Sequence, residues 1–113
     1  MLSAVIGHLV GDYIIQNDWM ALNKKKSSFH CAVHCALWTF SVMSFSIVAD
    51  WRIALILFGT HFFQDRTNVI RSSMAIFGQE KFATGPCAPW SIIVVDNVWH
   101  IVTIFAVWKA FEL

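Results

Sequence analysis

The chain has 113 residues, of which 58% are apolar and 13% charged, with ten Phe, six Trp and a formal net charge of +1. Soluble domains carry roughly 25% charged residues and the mean hydropathy here is +0.61, so the composition is that of a membrane chain. The near-neutral charge argues against nucleic acid as a partner, and an odd number of cysteines beside apolar stretches (Cys31, Cys35, Cys87) argues against a disulfide framework.

The first predicted helix covers residues 2–22. Its apolar run is interrupted by His8 and Asp12, with no basic start and no small-residue cleavage site, so it reads as a permanent span rather than a signal peptide. Asn23-Lys24-Lys25-Lys26 follows, and Ser27 and Ser28 offer caps for a second helix over 29–49, long enough to cross a bilayer. Asp50 marks a tight connection to a third helix over 51–74, apolar through Phe63 and polar from Gln64. Residues 78–89, with Gly85-Pro86 and Ala88-Pro89, form a loop; residues 74–82 are placed along the membrane interface, and the fourth helix covers 90–111. No stretch alternates as a strand would, and an open sheet could not satisfy its backbone in lipid. The expected fold is all-α: one integral membrane domain, 1–113, built as a four-helix transmembrane bundle.

Lys24, Lys25, Lys26, Arg71 and Lys81 fall in the first and third connections, against Arg52 and Lys109 on the other side, which orients both termini away from the cytoplasm. The lysine run then sets topology and meets anionic lipid, with attraction of phosphate as its second role.

One pattern carries chemistry. His8/Asp12, His30/His34, His61/Asp65 and Asp96/His100 are all i,i+4 pairs, one in each predicted helix. That spacing stacks two side chains on one helix face. His and Asp together occupy ten positions, from which about 0.9 such pairs are expected by chance, so four is an excess. With the orientation above, all four pairs fall at similar depth near the cytoplasmic leaflet.

An isolated Asp at the centre of a membrane helix costs about 2.5–3.5 kcal/mol, and a structural zinc contributes about 10–16 kcal/mol in small peptides. A bound divalent metal therefore offsets Asp12, Asp65 and Asp96 together. The expected ligands are His8, Asp12, His34, His61, Asp65, Asp96 and His100, with Asp12 or Asp96 as general base. Gln16, His30, Gln64, Arg66 and Asn97 are candidates for a supporting shell or substrate contacts, and the thiols of Cys31 and Cys35 are an alternative ligand pair. Imidazole and carboxylate suit zinc first, with manganese, iron or nickel also possible. Seven candidates exceed one tetrahedral site and point to a dinuclear hydrolytic centre. A buried polar network without an ion is the competing reading.

The pattern His8-Leu9-x-x-Asp12-Tyr13-x-x-Gln16-x-Asp18-Trp19-Met20-Ala21-x-Asn23-Lys24, then His34, His61-Phe62-x-x-Asp65-Arg66 and Val95-Asp96-Asn97-x-x-His100, resembles a family of small phage and bacterial membrane proteins of unknown function. The resemblance covers nearly the whole chain. It implies a four-helix protein of the bacterial, or phage-host, inner membrane, and supplies no activity. More distantly, the His-x-x-x-Asp motifs are similar to those of bacterial inner-membrane proteins described as metal-dependent hydrolases.

The functional expectation is a membrane-embedded metal-dependent hydrolase acting on a lipid or phosphoester. Its alternatives are a non-enzymatic small phage-type membrane protein, such as a lysis or exclusion factor or an ion-conducting oligomer, and a haem-binding electron carrier. Membrane lipids and a second copy of the chain are the expected partners.

Overall fold

The computed structural model describes Met1–Leu113, all helical with connecting turns. Helix α1 (Leu2–Val10) runs into a π-helical turn (Gly11–Ile15), which ends where Gln16 becomes extended (ψ 117°). A short α2 (Asp18–Asn23) follows, capped by the Asn17 side chain, which accepts from the Met20 amide. The longer α3 (Ser28–Ser46) and α4 (Trp51–Arg66) form a hairpin, and α5 (Val69–Ile76) and α6 (Glu80–Thr84) lead into α7 (Trp90–Ala110).

Two of the predicted helices are thus broken. The stretch 2–22 is interrupted by the π turn and by Gln16. The stretch 51–74 stops at Thr67, whose extended backbone (ψ 177°) separates α4 from α5. These breaks overturn the four-span transmembrane bundle, along with the orientation of both termini built on it. By length and composition α7, at 21 residues, could cross a membrane, and it is the one helix that meets that test. The α1 segment to Ile15 and the 16-residue α4 are too short. At 19 residues α3 is long enough, but His30, His34, Thr39 and its serines leave it insufficiently apolar.

The four main helices close a ring in the order α1, α3, α4, α7, with contacts between neighbours and from α7 back to α1. Apolar packing fills one end, where Ala4, Val42, Ile53, Leu57, Ile104, Val107 and Trp108 are buried. At the α4 N-terminus Asp50 accepts from the Arg52 amide and side chain, and hydrogen bonding to Arg52 pulls its carboxyl down to about 2. Helix α3 ends on Ile47 with φ 54°, a left-handed conformation. A β-branched residue there strains its Cβ against the following carbonyl, at about 1–2 kcal/mol. Because Ile47 is 93% exposed, Ile47→Gly forfeits little packing. It is expected to raise stability by about 1 kcal/mol in chemical denaturation.

The α1–α3 contact fixes the other end. Gly7 on α1 and Gly11 at the start of the π turn both meet α3, and a Cβ on Gly7 would stand 2.8 Å from both the Ser41 carbonyl oxygen and the Val42 Cα. On Gly11 it would stand 2.7 Å from Trp38 Cδ1. The Ser41 hydroxyl donates to the Gly7 carbonyl at 2.8 Å. Two glycines thus let α1 ride directly on the α3 backbone, which carries His8 and Asp12 into the bundle.

Candidate metal centre

Beyond the apolar end the interior becomes polar. His8, His34, His61, His100 and Asp65 are each at most 2% exposed, in a layer contributed by all four ring helices. Trp38 forms its floor: the indole stacks on the His61 ring (centroids 3.9 Å apart, 14° between planes) and donates to His8 Nδ1 at 3.0 Å.

At the centre four ligand-type atoms crowd one point. His34 Nε2 lies 3.0 Å from His61 Nε2, 3.2 Å from Asp12 Oδ1 and 3.1 Å from Asp65 Oδ2. His61 Nε2 lies 3.5 Å from Asp12 Oδ1 and 3.4 Å from Asp65 Oδ2. The groups that could hold an ion, each with ligand atoms all within 4.8 Å of one another, are Asp12/His34/His61 and His61/Asp65/His100, which share His61. Zinc bound to N and O ligands at 2.0–2.1 Å has edges of about 3.3 Å, close to the 3.0–3.5 Å separations within Asp12, His34 and His61. Asp12 Oδ1 has no hydrogen-bond partner; its approach to His34 is close without being aligned for one. His100 adjoins from α7, with Nε2 3.5 Å from Asp65 Oδ1 and likewise no hydrogen-bond partner. Its Nδ1 donates to the Asp96 carbonyl at 2.7 Å, the tautomer that leaves Nε2 its lone pair for a ligand role.

His8 stands differently. One ring nitrogen accepts from Trp38 and the other meets Asn97 Oδ1 at 3.0 Å, so both are engaged, and Asp12 Oδ2 lies 3.1 Å from Nδ1. His8 therefore lies beside Asp12 and outside the central cluster. Asp96 likewise stays out of it: its carboxylate is 3.6 Å from His100 Nδ1 and lines the adjoining cavity. Around the cluster, Gln16 donates to the Asp12 carbonyl and Asn97 donates to the Tyr13 hydroxyl. Gln64 turns to Thr103, Arg66 to Ser28 and the Lys25 carbonyl, and His30 packs on Trp19. Cys31 and Cys35 face each other at 3.8 Å, and burial pushes the Cys35 thiol far up, so these cysteines stay protonated and apart from the nitrogen and oxygen set.

Electrostatics hold the carboxylates ionised. Burial works against the charge on Asp12, but the adjacent imidazoles of His34 and His8 outweigh it and keep its carboxyl well below the usual range. For Asp65 burial is again opposed, here by His61, His100, His34 and Lys24. Lys24 Nζ donates to Asp65 Oδ2 at 2.7 Å, a contact the sequence pattern does not announce, since Lys24 belongs to a run that reads as topological. Two further participants escape the sequence reading: Trp38, which resembles any packing tryptophan, and the Gly7/Gly11 pair, whose GxxxG spacing is a legible signal of close helix approach.

From the cluster a cavity of about 460 Å³ opens, lined by Asp12, Asp65 and Asp96 and by Lys24, Lys25 and Arg71, with Tyr13, Gln16 and Asn97 on its wall. A family described as "Protein of unknown function (DUF3307)" matches residues 1–113. The chain belongs to this family. Neither a curated protein nor a solved structure matches it.

Proposed function

We propose that the chain is a metal-dependent hydrolase that acts on a lipid or phosphoester substrate at the bacterial inner membrane. The observation that carries this reading is the pair of ligand groups Asp12/His34/His61 and His61/Asp65/His100, which share His61 and adjoin a cavity with its own charged lining. Zinc is the fitting ion, with manganese, iron or nickel as alternatives of the same ligand chemistry. His100, against the second oxygen of Asp65, would hold the ion together with His61 and Asp65. A metal held there would supply Lewis acidity, bringing the pKa of water towards neutrality and polarising a phosphoryl or acyl oxygen.

Asp96 stands on the cavity wall outside the ligand set, so it is the carboxylate free to take a proton from an attacking water. Asp12, the other candidate base, is committed to the cluster. The length of α7 and the many exposed apolar side chains, among them Leu2, Ile14, Leu22, Phe29, Phe40, Trp51 and Ile76, support a membrane setting.

The test is hydrolysis of chromogenic phosphomonoesters and phosphodiesters, and release of headgroups from mixed micelles, by zinc- and manganese-loaded protein. Asp96→Asn is expected to lower kcat by about 10²–10⁴ while bound metal stays unchanged. Metal-loaded protein without turnover on any of these substrates would leave the second reading, a non-enzymatic membrane protein. The Lys24–Asp65 ion pair favours that reading, because it neutralises a buried carboxylate without an ion.

A further inference from the structure

The basic residues around the cavity have unequal commitments. Lys25 donates to the Asp65 and Thr67 carbonyls at 2.8 and 3.0 Å, closing the end of α4, so its ammonium is occupied. Arg66 is likewise held, by Ser28 and the Lys25 carbonyl. The ion pairs of lysine and arginine in the chain are Lys24–Asp65 and Arg52–Asp50, which leaves Arg71, on the cavity wall, without a carboxylate.

Lys24 is bound to an atom with two claims on it. Asp65 Oδ2 is the acceptor for its ammonium at 2.7 Å and also faces the candidate ligands, 3.1 Å from His34 Nε2 and 3.4 Å from His61 Nε2. A divalent ion at the centre and an ammonium on the same oxygen would repel one another at short range. Lys24 has a four-carbon stem, is 18% exposed, and lies on the wall of the cavity that Arg71 shares. The ammonium therefore has somewhere to go.

We propose that Lys24 is an exchangeable counter-ion: it neutralises Asp65 in the metal-free chain and, once a divalent cation holds Asp65, turns into the cavity to bind a phosphate group together with Arg71. This rests on the metal site of the proposed function and names the substrate class of that site. The charges follow the same course. The three carboxylates and three cations on the cavity wall cancel, so the metal-free cavity has no net attraction for a dianion. Loading with a divalent ion makes it positive and frees one ammonium. The Tyr13 hydroxyl accepts from Asn97, so its own proton remains to donate to a phosphate oxygen. The phosphate belongs either to a soluble monoester or to a lipid headgroup.

Zinc affinity and phosphate binding, measured by calorimetry on wild type, Lys24→Met and Arg71→Gln, test the exchange. Circular dichroism confirms that each variant is folded, and exposed Arg71 provides a variant that spares the cluster. Lys24→Met is expected to bind zinc at least about tenfold more tightly, because a competing cation is gone. Inorganic phosphate is expected to bind zinc-loaded wild type, at least about tenfold more weakly both variants, and metal-free protein not at all. Competition by glycerol 3-phosphate would assign a soluble monoester, and competition by short-chain phosphatidic acid alone would assign a lipid headgroup. Zinc affinity unchanged or reduced in Lys24→Met, or phosphate affinity equal in all three proteins, overturns the exchange while the metal site stands. A wild type that takes up no zinc overturns the metal reading itself, and the exchange with it.

Discussion

Protein loaded with zinc is expected to melt on the order of 10 °C above the metal-free chain. An ion that binds the folded state alone stabilises it by about 2.7 kcal/mol at a hundredfold excess over Kd, and in a domain of this size each kcal/mol moves Tm by several degrees. The unfolded chain has no comparable site, because Asp12, His34 and the His61/Asp65 pair come from three separate elements and meet through the ring. Elemental analysis of purified wild type is expected to give one tight equivalent, and His61→Ala and Asp65→Ala are expected to lose both the equivalent and the thermal increment. Two equivalents would make Asp65, with an oxygen towards each side, the bridge between ions. A folded wild type whose Tm is the same with and without zinc, and which retains no metal, would sink the metal centre and leave a polar network held by Lys24.

The second large effect comes from a residue with no functional group. Gly7→Val is expected to cost about 3 kcal/mol or more, since overpacking against a fixed backbone has no flexible side chain to absorb it. Its Cβ would meet the Ser41 carbonyl oxygen and Val42 Cα at 2.8 Å, inside any tolerated contact. Displacing α1 also moves His8 and Asp12, so zinc affinity is expected to fall with stability. Gly59→Ala is the control: a Cβ there meets nothing within 4 Å, and the exchange is expected to stabilise α4 by up to about 1 kcal/mol. Chemical denaturation of the two variants separates close packing from glycine content in general. Equal stability of Gly7→Val and wild type would show that α1 does not seat on α3 as described.

Helical content and the residues of the polar layer were legible because both depend on local periodicity. The i,i+4 spacing of His61/Asp65 puts two ligand-type side chains on one face wherever the helix lies, and the same holds for His8/Asp12 and Asp96/His100. It could not tell which member of a pair points to the centre. His8 is drawn off by Trp38 and Asn97, and Asp96 by its place on the cavity wall; those partners lie 30 and 89 residues from His8 along the chain. The spans misled for a related reason. Apolar composition measures how readily a segment leaves water, whereas helix length depends on where the backbone turns, and the π turn at Gly11–Ile15 and the extended Thr67 cut two of the four stretches short.

By itself, then, the sequence determined an all-helical chain with histidines and aspartates paired at one-turn spacing, because the 3.6-residue repeat is a property of each segment alone. Only the tertiary structure decided that Asp12 and Asp65 each come within 3.5 Å of both His34 and His61, that Lys24 reaches across 41 residues to an oxygen of Asp65, and that one helix rather than four could cross a membrane. Those outcomes depend on how closely two glycines let α1 approach α3 and on where helices end, which are relations between segments that no single segment encodes.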